Sequence, residues 1–234
     1  MILMKTRTWL VAMALMAGLT LNASAALYDY DWTGINAAIP DGDPNGYVNN
    51  QTIADANLFV VNVVGVRLDV SGGWNGDLYV YLRHETESGT GFTTLLNRVG
   101  TTASPYNPIG YTTAGMNITL SDSASYADIH GVENPTASGT YRVDQTGSSM
   151  TFDSFQGLDP NGTWSLYLAD LSGNHVSTLN GWGLTLEAVP EPSTWAMIIF
   201  GTLFVGGQFI QWRRRPVLAK SRSRILARRS ALEW

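Results

Sequence analysis

Through the middle of the chain, apolar and polar positions alternate. Val64, Val66, Leu68 and Val70 alternate with Gly65, Arg67 and Asp69, and Leu78, Val80 and Leu82 alternate with Tyr79, Tyr81 and Arg83. The same rhythm returns at Trp164, Leu166 and Leu168 and again at Trp182, Leu184 and Leu186. A period of two sends successive side chains to opposite faces, so each run predicts a half-buried β-strand. No stretch between these runs holds a helical period. Gly72-Gly73-Trp74-Asn75-Gly76, Asn161-Gly162 and Asn180-Gly181 punctuate them and predict turns. Twenty glycines between residues 26 and 193 suit many tight turns. The pattern predicts an all-β ectodomain over residues 26–188, an antiparallel β-sandwich of the jelly-roll kind.

The pattern breaks at both ends, where apolar runs are continuous. In residues 1–25, basic Lys5 and Arg7 precede the run Trp9 to Leu21, and Ala23-Ser24-Ala25 follows. That order is a cleavable signal peptide, with small residues Ala23 and Ala25 at the cleavage site and Ala26 opening the mature chain. The alternative, an N-terminal anchor, is weakened by polar Asn22 directly after the run. At the other end, residues 194–212 carry no charge; at about 1.5 Å per residue they nearly cover the roughly 30 Å hydrocarbon layer. Trp195 and Trp212 fall at the interfaces. Arg213, Arg214 and Arg215, with five more bases behind them, predict a cytoplasmic tail over 216–234. A buried core helix would leave that arginine cluster unexplained.

Charge changes the picture further. The net charge of −5 is the sum of unlike segments: residues 26–193 hold 18 acidic side chains against four basic, or −14, while both ends are basic. An ectodomain so acidic is a poor match for a phosphate backbone, so nucleic-acid binding is excluded. With no cysteine there is no disulfide framework, thiolate metal site or cysteine nucleophile.

Between ectodomain and apolar run stands Val189-Pro190-Glu191-Pro192. This motif, then the apolar segment, then the arginine cluster, resembles the PEP-CTERM sorting tail of Gram-negative bacteria over residues 189–215. The resemblance implies export through signal peptidase and the secretion machinery, and an inner-membrane precursor. An exosortase then processes it for the cell surface or extracellular matrix, often beside exopolysaccharide. Two prolines cannot enter a helix interior, which keeps such a motif extended. The basic tail runs on to Trp234, longer than is usual for the family.

A second resemblance covers residues 38–187. Ala38 to Gly46, the Asn75-Gly76-Asp77-Leu78 strand entry, Asn117 to Ala124, and Phe155-Gln156-Gly157 with Asn161 to Leu166 and Leu179 to Leu184 are similar, in order, to the P domain of subtilisin-like proprotein convertases. It implies a jelly roll that supports a protease without carrying its triad.

Candidate chemistry is sparse. His84, His130 and His175 are singletons, expected in surface loops, and no nucleophile elbow or metalloprotease helix accompanies them. Asp41, Asp43 and Asn45 open like an EF-hand loop, but its twelfth position is Thr52, so it is not one. Asp41 and Asp43, with Asp77, Asp122 and Asp170 at the P-domain positions, are either turn acids or ligands of a shared calcium site. Trp74, Tyr79 and Tyr81, with Tyr106, Tyr111 and Tyr126, are expected as outward rings able to contact a ligand or to pack on neighbouring strands. The expectation is a non-enzymatic surface or matrix protein for adhesion or glycan contact. The alternatives are a carbohydrate-active or proteolysis-associated enzyme, and a stabilising partner of a separately encoded protease.

Overall fold

The computed structural model describes residues 26–55, 58–103, 106–146, 151–190 and 201. The predicted signal peptide, the apolar segment 194–212 apart from Gly201, and the basic tail lie outside the described residues, among which no helix is long and apolar enough to cross a membrane. Eleven strands follow in order: β1 (Ala26–Ala38), β2 (Tyr47–Ile53), β3 (Leu58–Gly72), β4 (Leu78–Thr86), β5 (Gly89–Asn97), β6 (Thr102–Ala103), β7 (Tyr106–Asn107), β8 (Met116–Ser121), β9 (Gly139–Arg142), β10 (Gly162–Asp170) and β11 (Ser177–Pro190). Three single 3-10 turns are the remaining regular elements described below residue 191.

The strands make a five-stranded sheet, β1-β11-β3-β8-β9, and a four-stranded sheet, β2-β10-β4-β5, with β6 and β7 paired apart. All four runs of alternation lie in central strands, β3, β4, β10 and β11. Their apolar sets point the same way: Val66, Leu68 and Val70 from one sheet and Leu78, Val80, Leu82, Leu166 and Leu168 from the other join one buried cluster. The sheets therefore share a core, with Trp164 and Trp182 its largest fully buried side chains. Burying each such side chain contributes about 2–3 kcal/mol.

Three details depart from the expectation. Val64 is only half-buried, because a register shift opposite Thr185 and Leu186 turns Val63 into the core in its place. The pairing is not wholly antiparallel, because β9 runs parallel to β8, Ile118 opposite Gly139. A parallel neighbour needs a crossover connection, here residues 122–138, that local patterning does not announce. And Asn180-Gly181 is no turn. It lies inside β11, where the register shifts between Leu179 and Gly181 against Asp69, and where a Cβ on Gly181 would stand 2.7 Å from the Trp32 carbonyl oxygen. A glycine in a strand marks a bulge or a close backbone approach as readily as a turn. Gly183 shows the same crowding, its missing Cβ falling 2.6 Å from the Tyr30 carbonyl oxygen. We expect Gly183→Ala to cost about 2 kcal/mol through overpacking, read as a lower urea midpoint with an unchanged slope.

Candidate functional site

The loops at one end of the two sheets gather most of the residues singled out in sequence. The 3-10 turn Asn75–Asp77 leads into β4, and Asp170 ends β10 opposite Leu78. Strand register thus brings Asp77 and Asp170 side by side, secured by Leu171 N–H donating to the Asp77 carbonyl at 2.9 Å. Gly76 lets this turn lie flat on its neighbour: a Cβ there would meet the Ile109 carbonyl oxygen and the Tyr111 nitrogen at 2.5 Å. Asn75 is fixed by its Nδ2 donating to the Gly115 carbonyl at 3.1 Å.

Asp77 and Asp170 are both fully buried. Asp170 accepts from the Ser172 backbone at 3.4 Å and from the Ser177 hydroxyl at 3.3 Å. Neither Asp77 oxygen has a hydrogen-bond partner of ordinary geometry, and the Asn75 Oδ1 and His175 Nδ1 atoms are likewise unpartnered. The Arg98 guanidinium comes within 4.0 Å of Asp77 Oδ1, but its nitrogens donate to the Gly76 and Pro108 carbonyls and the Ser172 hydroxyl. Burial pushes the Asp77 carboxyl above the ordinary range, against the opposing pull of Ser172, Arg98 and His175. Burial also raises Asp170, and the Asp77 charge adds to the effect.

Of the other predicted acids, Asp41 lies close enough for its charge to raise both carboxyls, whereas Asp43 and Asp122 do not join them. Asp41 reaches across to accept from the Asn174 backbone at 2.9 Å. Asp43 accepts from the Asn45 backbone and side chain, both at 2.8 Å, within its own turn. Asp122 accepts from the Phe152 backbone at 3.1 Å, far from this end. Among the described residues no group of three or more acids and histidines is placed to hold a metal ion. The donors that do converge, two unpartnered Asp77 oxygens with the neighbouring Asp170, are oxygen ligands of the kind hard cations take.

The histidines are not simple loop residues. His84 is fully buried; its ring lies parallel to the Trp164 indole at 4.0 Å and bridges the Thr163 and Asp159 carbonyls. His175 stacks on Trp74 at 3.8 Å. His130 bonds through Nδ1 to Asp144 Oδ2 and through Nε2 to the Thr101 carbonyl, each at 2.8 Å. In a Ser-His-Asp triad the second nitrogen would take the hydroxyl proton; here a carbonyl occupies it. Burial lowers the His130 pKa, but the Asp144 and Thr101 bonds and the Asp144 and Asp128 charges outweigh it, and the net direction is upward. Nothing in local spacing pairs residue 130 with residue 144, and the expectation of surface histidines fails because both acceptors come from other segments.

Among the rings, Tyr106 is largely exposed and Tyr126 partly so, whereas Tyr111 packs against the core under Gly100, whose Cβ would stand 2.6 Å from the ring. Tyr79 and Tyr81 point outward from β4, and Tyr81 stacks on Tyr167 at 4.5 Å.

Because its folded pKa is raised above the ordinary 6.5, the His130 contribution is complete below that value and is lost as pH rises through the folded pKa. His130→Asn is expected to remove that component of the fall in melting temperature between pH 6 and 9. An unchanged melting profile would refute the assignment.

Comparison with known proteins places one segment. A solved Aeromonas sobria serine protease in complex with the chaperone ORF2 is 17% identical, with a TM-score of 0.39, covering 76% of this chain and 29% of that one. The same organism's serine protease solved by itself is 18% identical with a TM-score of 0.36, over the same shares. This chain spans under a third of the length of either. No curated protein matches. Residues 188–215 match the family model of the PEP-CTERM protein-sorting motif, so the Pro-Glu-Pro residues, together with the segment C-terminal to them, form an exosortase sorting signal.

Proposed function

We propose that the chain is an exported, exosortase-processed protein of the cell surface or extracellular matrix whose all-β ectodomain binds rather than catalyses. The observation that carries this reading is the sorting motif at 188–215. In this reading residues 1–25 are removed on export, residues 194–212 hold the precursor in the inner membrane, and the two sheets form a jelly roll of the P-domain kind. The non-catalytic part rests on chemistry. His130, the histidine paired with a buried carboxylate, has its other nitrogen on a backbone carbonyl, which leaves it no free nitrogen to act as a general base.

Calcium belongs to the same proposal. Asp77 and Asp170 would hold it, supplying carboxylate oxygens that are otherwise buried at a cost. The ion would supply structural cross-linking of the β3–β4 and β10–β11 connections, with Arg98 as the resident positive charge in its absence.

Two measurements test these points. Glu191→Ala with Pro192→Ala should leave an unprocessed precursor in the membrane fraction; normal processing would defeat the sorting claim. Millimolar calcium should raise the melting temperature of the wild-type protein by several degrees and that of Asp77→Asn not at all. Without calcium at pH 7, Asp77→Asn should melt higher than wild type, because it removes a carboxylate whose raised pKa opposes folding once ionised. Equal calcium responses in both proteins would exclude this site.

A further inference from the structure

The two outer sheet faces are unlike in chemistry. On the five-stranded sheet, register puts Asp29 and Asp31 of β1, Thr185 and Glu187 of β11, and Arg67 and Asp69 of β3 on the solvent side. Among the described side chains that face is acidic and carries no rings. On the four-stranded sheet, the outward positions of the same register rows carry aromatic side chains instead. Tyr81 faces Tyr167 across β4 and β10, and Tyr167 faces Val48 of β2.

The rings form one continuous cluster. Tyr81 lies 5.0 Å from Phe92 of β5 and 4.5 Å from Tyr167, and Tyr79 meets Tyr81 edge-on at 6.3 Å. Three strands contribute the rings and β2 adds Val48 opposite Tyr167, with Phe92 at 46% and Val48 at 48% exposure. The neighbouring outward positions are amides and hydroxyls, with Ser165 opposite Asn50. The charges in that row and the next are Arg83 and Glu85, which pair with each other and cancel. In an ectodomain of −14, the outward strand positions of this ring face carry no net charge, and the acid that borders it is Asp43, in the turn whose Pro44 carbonyl accepts from the Tyr167 hydroxyl.

We propose that this face binds a neutral polysaccharide chain. Pyranose rings present C–H faces that pack on aromatic surface and equatorial hydroxyls that bond to amides and hydroxyls beside it. An open strip of rings running across neighbouring strands fits an extended polymer better than a small molecule, which prefers a concave pocket. The missing net charge matches an uncharged polymer, whereas an acidic one would meet the repulsion of the surrounding domain. The proposal rests on the surface-protein reading above and adds its ligand and its site.

The test is affinity electrophoresis of the full chain in a polyoxyethylene detergent, which carries no sugar headgroup, through gels containing dextran, laminarin, galactomannan or alginate. Retardation by at least one neutral polymer, reduced about tenfold or more in apparent affinity by Phe92→Ala and by Tyr81→Ala, is the expected result. Phe92→Ala removes a half-exposed ring from the sheet surface and should keep a single cooperative melting transition above the temperature of the gel, so its loss of binding would not reflect unfolding. No retardation by any neutral polymer, retardation by alginate only, or retardation that both variants retain would each overturn the proposal. Concentration-dependent self-association abolished by Phe92→Ala, without binding to polymer, would overturn it too. Failure here leaves the sorting reading intact, because that stands on where the Glu191 and Pro192 variants accumulate.

Discussion

The indole of Trp182 ties the two sheets together. It is fully buried on β11, packs on Trp32 of β1 at 4.5 Å, and donates through Nε1 to Asn49 Oδ1 of β2 at 2.8 Å. β11 sits between β1 and β3, so one side chain at the centre of one sheet bonds to an edge strand of the other. Asn49 is held in turn, its amide donating to Tyr47 and its oxygen also accepting from Gln51. A buried indole N–H without an acceptor costs about 1–3 kcal/mol. The relative position of the sheets, and with it the meeting of connections at one end, depends on this contact. The close approach of β1 to β11 depends equally on Gly181 and Gly183 lacking side chains.

Legibility in the sequence divides along the same line. Central strands bury one face completely, and Leu78, Val80 and Leu82, or Trp164, Leu166 and Leu168, carry that burial as strict alternation. Edge strand β2 is half-wet, and its Tyr47, Asn49 and Gln51 face inward as polar groups, so hydrophobicity alone does not mark it. Asn180-Gly181 shows the limit of turn chemistry: a residue pair that permits a turn also permits a bulge, and only the partner strand decides. The site was legible in its members but not in its grouping. Asp77 and Asp170 stand out in the sequence, yet their burial follows from the β4–β10 register, while Asp122, equally marked, ends at Phe152. His130 and Asp144 meet through a connection that no local period encodes.

Burial and charge are distributed with the same economy. Acidic groups lie on the outer face of the five-stranded sheet, where Arg67 meets Asp31 at 2.7 Å and water screens the rest. Buried Asp144 has His130 and backbone donors around it. The buried pair Asp77 and Asp170 sits where chain connections converge, a place that packing alone could have filled with apolar side chains. The aromatic rings of the four-stranded sheet occupy positions that solubility would assign to polar residues. Each departure from a purely structural choice falls on a separate part of the ectodomain.

The pairing of Ala26 with Ala188 has a consequence for the order of events during synthesis. Among the described residues the first strand has the last as its only neighbour in the sheet, so it stays without that partner until nearly all of the β-sheet region has emerged. Contacts that close so large a loop form late and slowly. Because β11 runs through Pro190 into the sorting motif, the strand that completes the five-stranded sheet is also the one that delivers the tail. Completion of the sheet and arrival of the signal are therefore nearly the same moment in the life of the chain.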